Sequence, residues 1–371
     1  MRKKEVLFIL GTRPELIKMN PVIKVFRASE KHNVKVCITS QHKELLHDLF
    51  ELFSFKYDVD LSAMKPNQTL VSSFNHIMEG LHKLGEEFKP SIIFVQGDTT
   101  TAFAGALYGF YNNIKVAHIE AGLRSGDLES PFPEEGNRKM ITHIANYHFC
   151  PTSLSCQNLY DEKILNGVHI VGNTVIDSLI DTIEITETNQ ANYAKYFESK
   201  GVDLKKKIIL TTIHRRENFG QPLQNICDSI RAFVEQESEA QFVLPIHPNR
   251  NGDFIKKELG NCKGVCLLNP LAYDKLVFLM YHSYIVFTDS GGIQEEAITC
   301  NKPILILRDT TERQEVIDAG AGVLVHDNKE LILDYLSKLF NDKEVYAQMT
   351  HKINPYGDGK SSQRIFDILE G

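Results

Sequence analysis

Short apolar runs of three to six residues recur along the whole chain, each bounded by polar or turn residues and followed by a longer helix-like stretch. In the first half they are 6–10, 34–39, 92–95, 116–119, 147–150 and 169–171. In the second half they are 208–212, 242–245, 265–268, 285–288, 304–307 and 323–325. Strands this short and this apolar, alternating with helices, build βαβ units and parallel sheets buried on both faces. Six runs in each half predict an α/β fold of two doubly wound, Rossmann-like domains. A closed eight-stranded barrel accommodates twelve runs poorly. The length of 371 residues agrees, since a domain takes roughly 100–200 residues and each half can bury its own core. The domain switch is placed at Gly172–Asn173, giving an N-terminal Rossmann-like domain over 1–172 and a second over 173–355. The polar stretch 182–207 reads as an exposed helix and loop.

Composition removes several classes of function. A formal net charge of −7 argues against a nucleic-acid binder, whose footprint is a basic excess, and gives no support to docking on an anionic membrane. The apolar run 6–10 is too short for a signal peptide, and nothing approaches the ~20 residues of a membrane span. A cytoplasmic protein is expected. The seven cysteines (37, 150, 156, 227, 262, 266 and 300) contain no C-x-x-C pair, so reduced thiols are expected, with Cys262 and Cys266 as core residues. The fourteen histidines show no H-E-x-x-H or other metal spacing, so no metal is expected. No G-x-G-x-x-G follows the first run and no G-x-S-x-G occurs anywhere, which removes the usual dinucleotide and hydrolase signatures. Gly359-Lys360-Ser361 resembles the end of a P-loop, but its first glycine would fall at Asn354. No cofactor is implied.

In doubly wound sheets ligands bind beyond the carboxyl ends of the strands, and the segments there carry the candidate chemistry. The first run ends in Gly11-Thr-Arg-Pro-Glu15. That reads either as a helix N-terminus with Arg13 and Lys18 set to bind an anion or as a capped helix with solvated basic residues. Asp98 follows the third run, Glu120 the fourth, and Glu134 opens the next helix. Asp98 alone would suit a helix cap, but three carboxylates at one sheet edge can separate an acid from a base. In the second half, His214-Arg215-Arg216-Glu217 follows a strand, either to face a phosphate or as a surface ion-pair cluster. His247 falls at the same edge. Ser290-Gly291-Gly292 opens a helix, where backbone N–H groups approach a diphosphate and the helix dipole favours its charge. Glu295 and Glu296 lie one turn in, placed to accept ribose hydroxyls. Arg308 and Arg313 follow the next strand and are positioned to close over a ligand.

These motifs resemble those of the non-hydrolysing UDP-N-acetylglucosamine 2-epimerases. The matching segments are 11–18, 96–101, 118–125, 133–138, 172–177, 212–218, 247–249, 289–296 and 311–313, and 354–359 extends the match. The resemblance implies the GT-B arrangement of two domains across a cleft, with the last helix, about 356–371, crossing back onto the first domain and UDP held by the second. It implies reversible interconversion of UDP-GlcNAc and UDP-ManNAc, by elimination of UDP to 2-acetamidoglucal and re-addition, and a role in supplying bacterial surface polysaccharide. Carried over residue by residue, Asp98, Glu120 and Glu134 are the acid–base set, and His214 is catalytic and contacts the diphosphate. Arg13, Lys18, Ser290, Gly291, Gly292 and Arg313 are diphosphate contacts, and Glu296 the ribose contact. A second UDP-GlcNAc, acting as activator, would meet Gln41, His42, Gln68, Arg215 and His247, and a homodimer is expected from the family alone. Two positions depart from the pattern: Gln314 stands where proline is usual and Leu276 where an aromatic is frequent near the uracil. A hydrolysing relative, which releases ManNAc and UDP, and a GT-B glycosyltransferase are the alternatives.

Overall fold

The computed structural model describes residues 3–39, 43–63, 68–246 and 250–371. Two compact units divide the chain: Met1–Ser178 with Tyr356–Gly371, and Leu179–Pro355. The boundary falls inside the helix Thr174–Thr188.

In the first unit β1 (Lys4–Leu10), β2 (His32–Ile38), β3 (Val59–Asp60), β4 (Ile92–Gln96), β5 (Lys115–Ile119), β6 (Tyr147–Cys150) and β7 (Val168–Ile170) form one sheet ordered β3-β2-β1-β4-β5-β6-β7. In the second, β8 (Lys207–Thr212), β9 (Ala240–Pro245), β10 (Val265–Leu268), β11 (Ile285–Thr288), β12 (Ile304–Ile306) and β13 (Gly322–Leu324) are ordered β10-β9-β8-β11-β12-β13. Every pair is parallel. Each apolar run expected from sequence is a strand. The added strand, β3, is only two residues long and leaves no period to read.

Both cores are aromatic. Phe8 of β1 stacks on Phe94 of β4 with ring centroids 4.4 Å apart, and Phe26 meets both edge-on. In the second unit Phe233, Phe242, Phe287 and Phe340 share one buried cluster. The stretch expected to be exposed is better anchored than its composition suggests. It forms the end of helix Thr174–Thr188 and the helix Gln190–Ser199, and the fully buried Phe197 stacks on Phe278 at 5.5 Å. Tyr193, one turn earlier, stacks on the same ring and donates its hydroxyl to Asp274. Two aromatics four residues apart fix one face of an otherwise polar helix.

The chain's last helix, Ser361–Glu370, packs in the first unit against the helix Arg13–Ala28, with Phe366 edge-on to Phe26 at 5.1 Å. Its end is tied by charge. Glu370 accepts from Lys4 Nζ at 2.7 Å and Lys31 Nζ at 3.1 Å and lies 3.1 Å from His32 Nε2. The Lys4 hydrogen bond is the main reason the Glu370 carboxyl is held down at about 2, from a usual 4.5. A carboxyl pKa depressed by folding stabilises the fold above the unfolded value, and that contribution fades as pH falls from 4.5 toward 2. Glu370→Gln is therefore expected to lower the melting temperature at pH 6 and to converge on the parent protein only as pH falls to about 2 and below. Parallel melting curves for the two proteins across that range would contradict it.

Both sheets reverse their strand order once, between β1 and β4 in the first and between β8 and β11 in the second. Such switch points open a crevice at the carboxyl edge, where neighbouring connections run to opposite faces. The loops leaving these four strands are those that carry Arg13, Asp98, His214 and Ser290.

Candidate active site

One strand from the first switch point, Glu120 leaves the end of β5 with φ +62°, a left-handed conformation that a non-glycine residue adopts only when its surroundings hold it there. Its side chain is buried, and three side chains reach its carboxylate. Lys18, on the helix after β1, pairs with Oε1, Gln96 at the end of β4 donates to Oε2, and Asn173 Nδ2 donates to Oε1 at 3.3 Å. The turn that follows depends on Gly122. Its φ is +86°, and a Cβ there would lie 2.1 Å from the Ser155 carbonyl oxygen.

Asp98 follows β4, beside β5 in the sheet. Its side chain meets Arg138 Nη2 at 2.6 Å, and its carbonyl accepts from Asn137 Nδ2 at 2.8 Å. Arg138 also reaches the fully buried Glu135 at 3.1 Å. Burial disfavours the guanidinium charge, but Asp98, Glu135 and Glu120 together more than offset this and raise its pKa. Glu134 opens the helix Glu134–Ile144, one turn ahead of Arg138 on the same face. Arg124 ties the Glu120 loop to this helix: it donates to Thr142 Oγ1 at 3.0 Å and makes a two-pronged pair with Glu162 at 2.8 and 2.7 Å. Asp98, Glu120 and the Glu134 helix thus share one edge. His118, on β5, is not part of the acid–base set: burial pushes its imidazole down to about 3, and Nε2 bonds the Gly97 carbonyl at 2.8 Å.

The N-terminus of helix Arg13–Ala28 already holds an anion supplied by the chain itself. Glu15, buried, accepts from the Gly11 and Thr12 amides at 2.9 and 2.7 Å and from the hydroxyls of Thr12 and Thr99, both at 2.7 Å. This is a capping box, so the capped-helix reading accounts for those amides. Arg13 and Lys18 are left to act through their side chains. Burial is the largest influence on Glu15 and raises its pKa.

The second switch point is organised by Asp289. Fully buried after β11, it accepts at Oδ2 from the amides of His214 and Arg215 and from Asn218 Nδ2, at 2.9, 2.8 and 3.0 Å. His214 Nδ1 lies 2.9 Å from Asp289 Oδ1. Burial alone would raise the Asp289 pKa, but His214 and the two amides outweigh it and leave it lowered. The carboxylate therefore orients the His214 ring, which keeps 43% of its side chain exposed. Next in sequence, Ser290 begins helix Gly291–Thr299 without capping it by its side chain. Gly292 has open space where a Cβ would stand, and at Gly291 the nearest atom would be Arg313 Cζ at 3.4 Å. Backbone donors and a guanidinium thus lie together, as an anion site requires. Arg313 is itself held by the buried Glu295 at 2.7 Å. Glu296, 6% exposed, accepts from the Tyr273 hydroxyl at 2.6 Å. Arg308 is buried, with Nε on Glu217 at 3.1 Å.

Of the residues proposed for an activator site, Gln68 Nε2 donates to the Ala63 carbonyl at 3.1 Å and contacts His76 at 2.9 Å. The Arg215 carbonyl accepts from Asn251 at 3.2 Å. Gln41, His42 and His247 lie outside the described residues. No group of three or more His, Cys, Asp or Glu suited to a metal occurs among the described residues, and no helix among them is long and apolar enough to cross a membrane. Sequence reasoning assigned no role to Glu15, Asn173, Tyr273 or Asp289. A T-x-x-E spacing was available to flag Glu15, and Asp289 stands directly after the run 285–288, while nothing local marks the contacts that Asn173 and Tyr273 make.

A family profile described as UDP-N-acetylglucosamine 2-epimerase matches residues 24–370. The chain is 44% identical to the UDP-N-acetylglucosamine 2-epimerase of Yersinia pestis over 371 residues, 99% of this chain and 98% of the relative. It is 42% identical to that of Escherichia coli K12 over the same coverage. Among solved structures, the UDP-GlcNAc 2-epimerase of Neisseria meningitidis bound to UDP-GlcNAc superposes with a TM-score of 0.91 at 42% identity, covering 99% of both chains. The Methanocaldococcus jannaschii enzyme in complex with UDP-GlcNAc and UDP gives 0.82 at 34% identity, also covering 99% of both. The fold is of the GT-B type, and the chain belongs to the UDP-N-acetylglucosamine 2-epimerase family.

Proposed function

We propose that the protein reversibly interconverts UDP-GlcNAc and UDP-ManNAc without hydrolysis. The sugar C2 proton is not next to a carbonyl, so direct deprotonation has no stabilised product. Loss of that proton together with cleavage of the C1–O bond to UDP gives 2-acetamidoglucal and UDP. Returning a proton to the opposite face of C2 as UDP re-adds at C1 completes the inversion. Asp98, Glu120 and Glu134 are assigned the proton transfers. His214, Arg13, Lys18, Ser290, Gly291, Gly292 and Arg313 are assigned the charge on departing UDP, and Glu296 the ribose hydroxyls. The units Met1–Ser178 with Tyr356–Gly371, and Leu179–Pro355, are taken as the acid–base and UDP-binding domains.

The observation that carries this reading is the set of carboxylates on the edge of β4 and β5, with Lys18 and Arg138 beside them. A glycosyltransferase or a nucleotide-sugar sensor would use the Ser290–Gly292 site but has no need of that set. The finer assignments belong to the same proposal: a second UDP-GlcNAc as activator at Gln41, His42, Gln68, Arg215 and His247, a cytoplasmic homodimer, and ManNAc supply to a surface polysaccharide.

Proton NMR of UDP-GlcNAc with the protein in D₂O tests the central claim. The expected result is a UDP-ManNAc signal carrying deuterium at C2 and no build-up of free ManNAc. Free ManNAc with UDP would move the enzyme to the hydrolysing branch, and inertness toward both nucleotide sugars would sink the epimerase reading. Initial rates that rise hyperbolically with UDP-GlcNAc, with immediate turnover of UDP-ManNAc alone, would remove the activator.

A further inference from the structure

We infer that Asn173 is a positioning residue for Glu120, through which the returning C-terminal segment sets the orientation of that carboxylate. The inference rests on the acid–base role proposed for Glu120.

Asn173 follows β7 and is 2% exposed. Its Oδ1 accepts from the Val175 amide at 3.1 Å, which fixes the amide group so that Nδ2 must turn the other way, onto Glu120 Oε1 at 3.3 Å. Its backbone amide donates to the Tyr356 carbonyl at 2.7 Å. The neighbouring Gly172 (φ +93°) leaves no room for a side chain: a Cβ would stand 3.0 Å from the Tyr356 oxygen and 2.6 Å from Ser361 Oγ. One turn later Asp177 accepts from the Ser361 amide at 3.2 Å and from the Ser362 amide and hydroxyl at 2.8 and 2.6 Å, closing the N-terminus of the last helix. Residues 172–177 therefore touch the C-terminal segment along their backbone and at Asp177, and the candidate carboxylate through one amide group.

Lys18, on the helix that follows β1, and Gln96, at the end of β4, reach Glu120 from elements on one side of β5, whereas Asn173 reaches it from the segment that follows β7. Lys18 meets Oε1 and Gln96 meets Oε2, and Asn173 adds a neutral donor at Oε1 from a short, buried side chain that is itself fixed, so its loss leaves that oxygen to follow the longer Lys18 side chain. Reactions that depend on a near-attack geometry lose about 10²-fold for a 1 Å displacement, so the effect belongs in turnover rather than in binding.

The experiment compares Asn173→Ala, Asn173→Asp and Asp177→Asn with the parent protein for kcat, KM and the pH dependence of kcat, with UDP affinity measured by calorimetry. Asn173→Ala is expected to lower kcat by roughly 10–100-fold with KM and UDP affinity within about threefold. Asn173→Asp keeps the shape but sets a second carboxylate against Glu120 Oε1. Like charges at that distance raise a carboxyl pKa by about one unit or more, so the acid limb of the kcat profile should move up accordingly. Asp177→Asn, which loosens the last helix and leaves Asn173 in place, should lower kcat by a smaller factor. A merely structural Asn173 would leave the profile of Asn173→Asp unmoved, and that result, or an unchanged kcat in Asn173→Ala, overturns the inference. Should the alanine variant fail to fold, the isosteric aspartate variant decides. An inactive parent protein would overturn the proposed function and this inference with it, whereas an active parent with indifferent variants overturns this inference alone.

Discussion

Glu120→Gln is expected to lower kcat for epimerisation by roughly 10²–10⁴-fold, the range that one positioned acid–base group supplies, while UDP affinity stays within about threefold. The separation follows from placement. Glu120 stands at the end of β5 in the first unit, whereas most donors assigned to the diphosphate, His214, Ser290 to Gly292 and Arg313, belong to the second, and Arg13 and Lys18 of the first keep their charge in the variant. Glutamine keeps the volume but replaces an acceptor oxygen with an amide donor. Three donors converge on the native carboxylate, from Lys18, Gln96 and Asn173. At least one of them would then face a donor, and Lys18 would lose its counter-charge. The measurement is exchange of the C2 proton with solvent, followed by NMR, beside steady-state turnover and calorimetric UDP binding. A variant that retains more than a tenth of parent turnover would show that Glu120 carries no essential proton, leaving Asp98 and Glu134 as the pair. Loss of UDP binding in the same variant would instead show that the first unit had been disrupted.

The sequence exposes the strands of this protein because parallel strands covered on both faces must be apolar throughout, and each such run is visible without reference to any other. The carboxylates Asp98 and Glu120 are legible for a related reason: a charged residue within a few positions of the end of an apolar run sits at the sheet edge. What hides is anything held by a distant partner. Asn173 is uncharged, lies in a loop and meets Glu120 from 53 positions away. Tyr273 reads as one more aromatic at a helix start until its hydroxyl is seen on Glu296. Glu15 misleads in the opposite sense. The loop 11–15 looks like a site for a ligand anion because a helix N-terminus attracts negative charge, and the chain satisfies that attraction with its own carboxylate. Asp289 looks misplaced beside a diphosphate site until the amides of His214 and Arg215 are found pointing at it. In each case the local pattern states the demand for a partner, and only the tertiary fold says which residue meets it.

Asp289→Ala should destabilise the second unit by about 3–5 kcal/mol, since the two amides and the Asn218 side chain that it gathers each cost about 1–3 kcal/mol when left unpaired, and weaken UDP binding at least tenfold. The carboxylate is wholly buried and gathers the amides of His214 and Arg215, the Asn218 side chain and the His214 ring. Alanine leaves the two amides and Asn218 Nδ2 without this acceptor, with water able to repair only part of the loss, while the exposed His214 ring loses the group that orients it. In a unit of this size each kcal/mol is worth roughly 2–4 °C, so a fall in melting temperature of about 10 °C is expected at pH 7. The pH dependence identifies the charge as the cause. The Asp289 pKa is lowered in the fold, so its contribution is present above the unfolded carboxyl value and fades as pH falls through the folded one. The gap between variant and parent should therefore narrow in acid. A gap that stayed constant from pH 7 to pH 3 would assign the loss to packing alone. Calorimetry with UDP completes the test: if the variant bound UDP as tightly as the parent, Asp289 would be holding up the loop without orienting His214 toward the diphosphate.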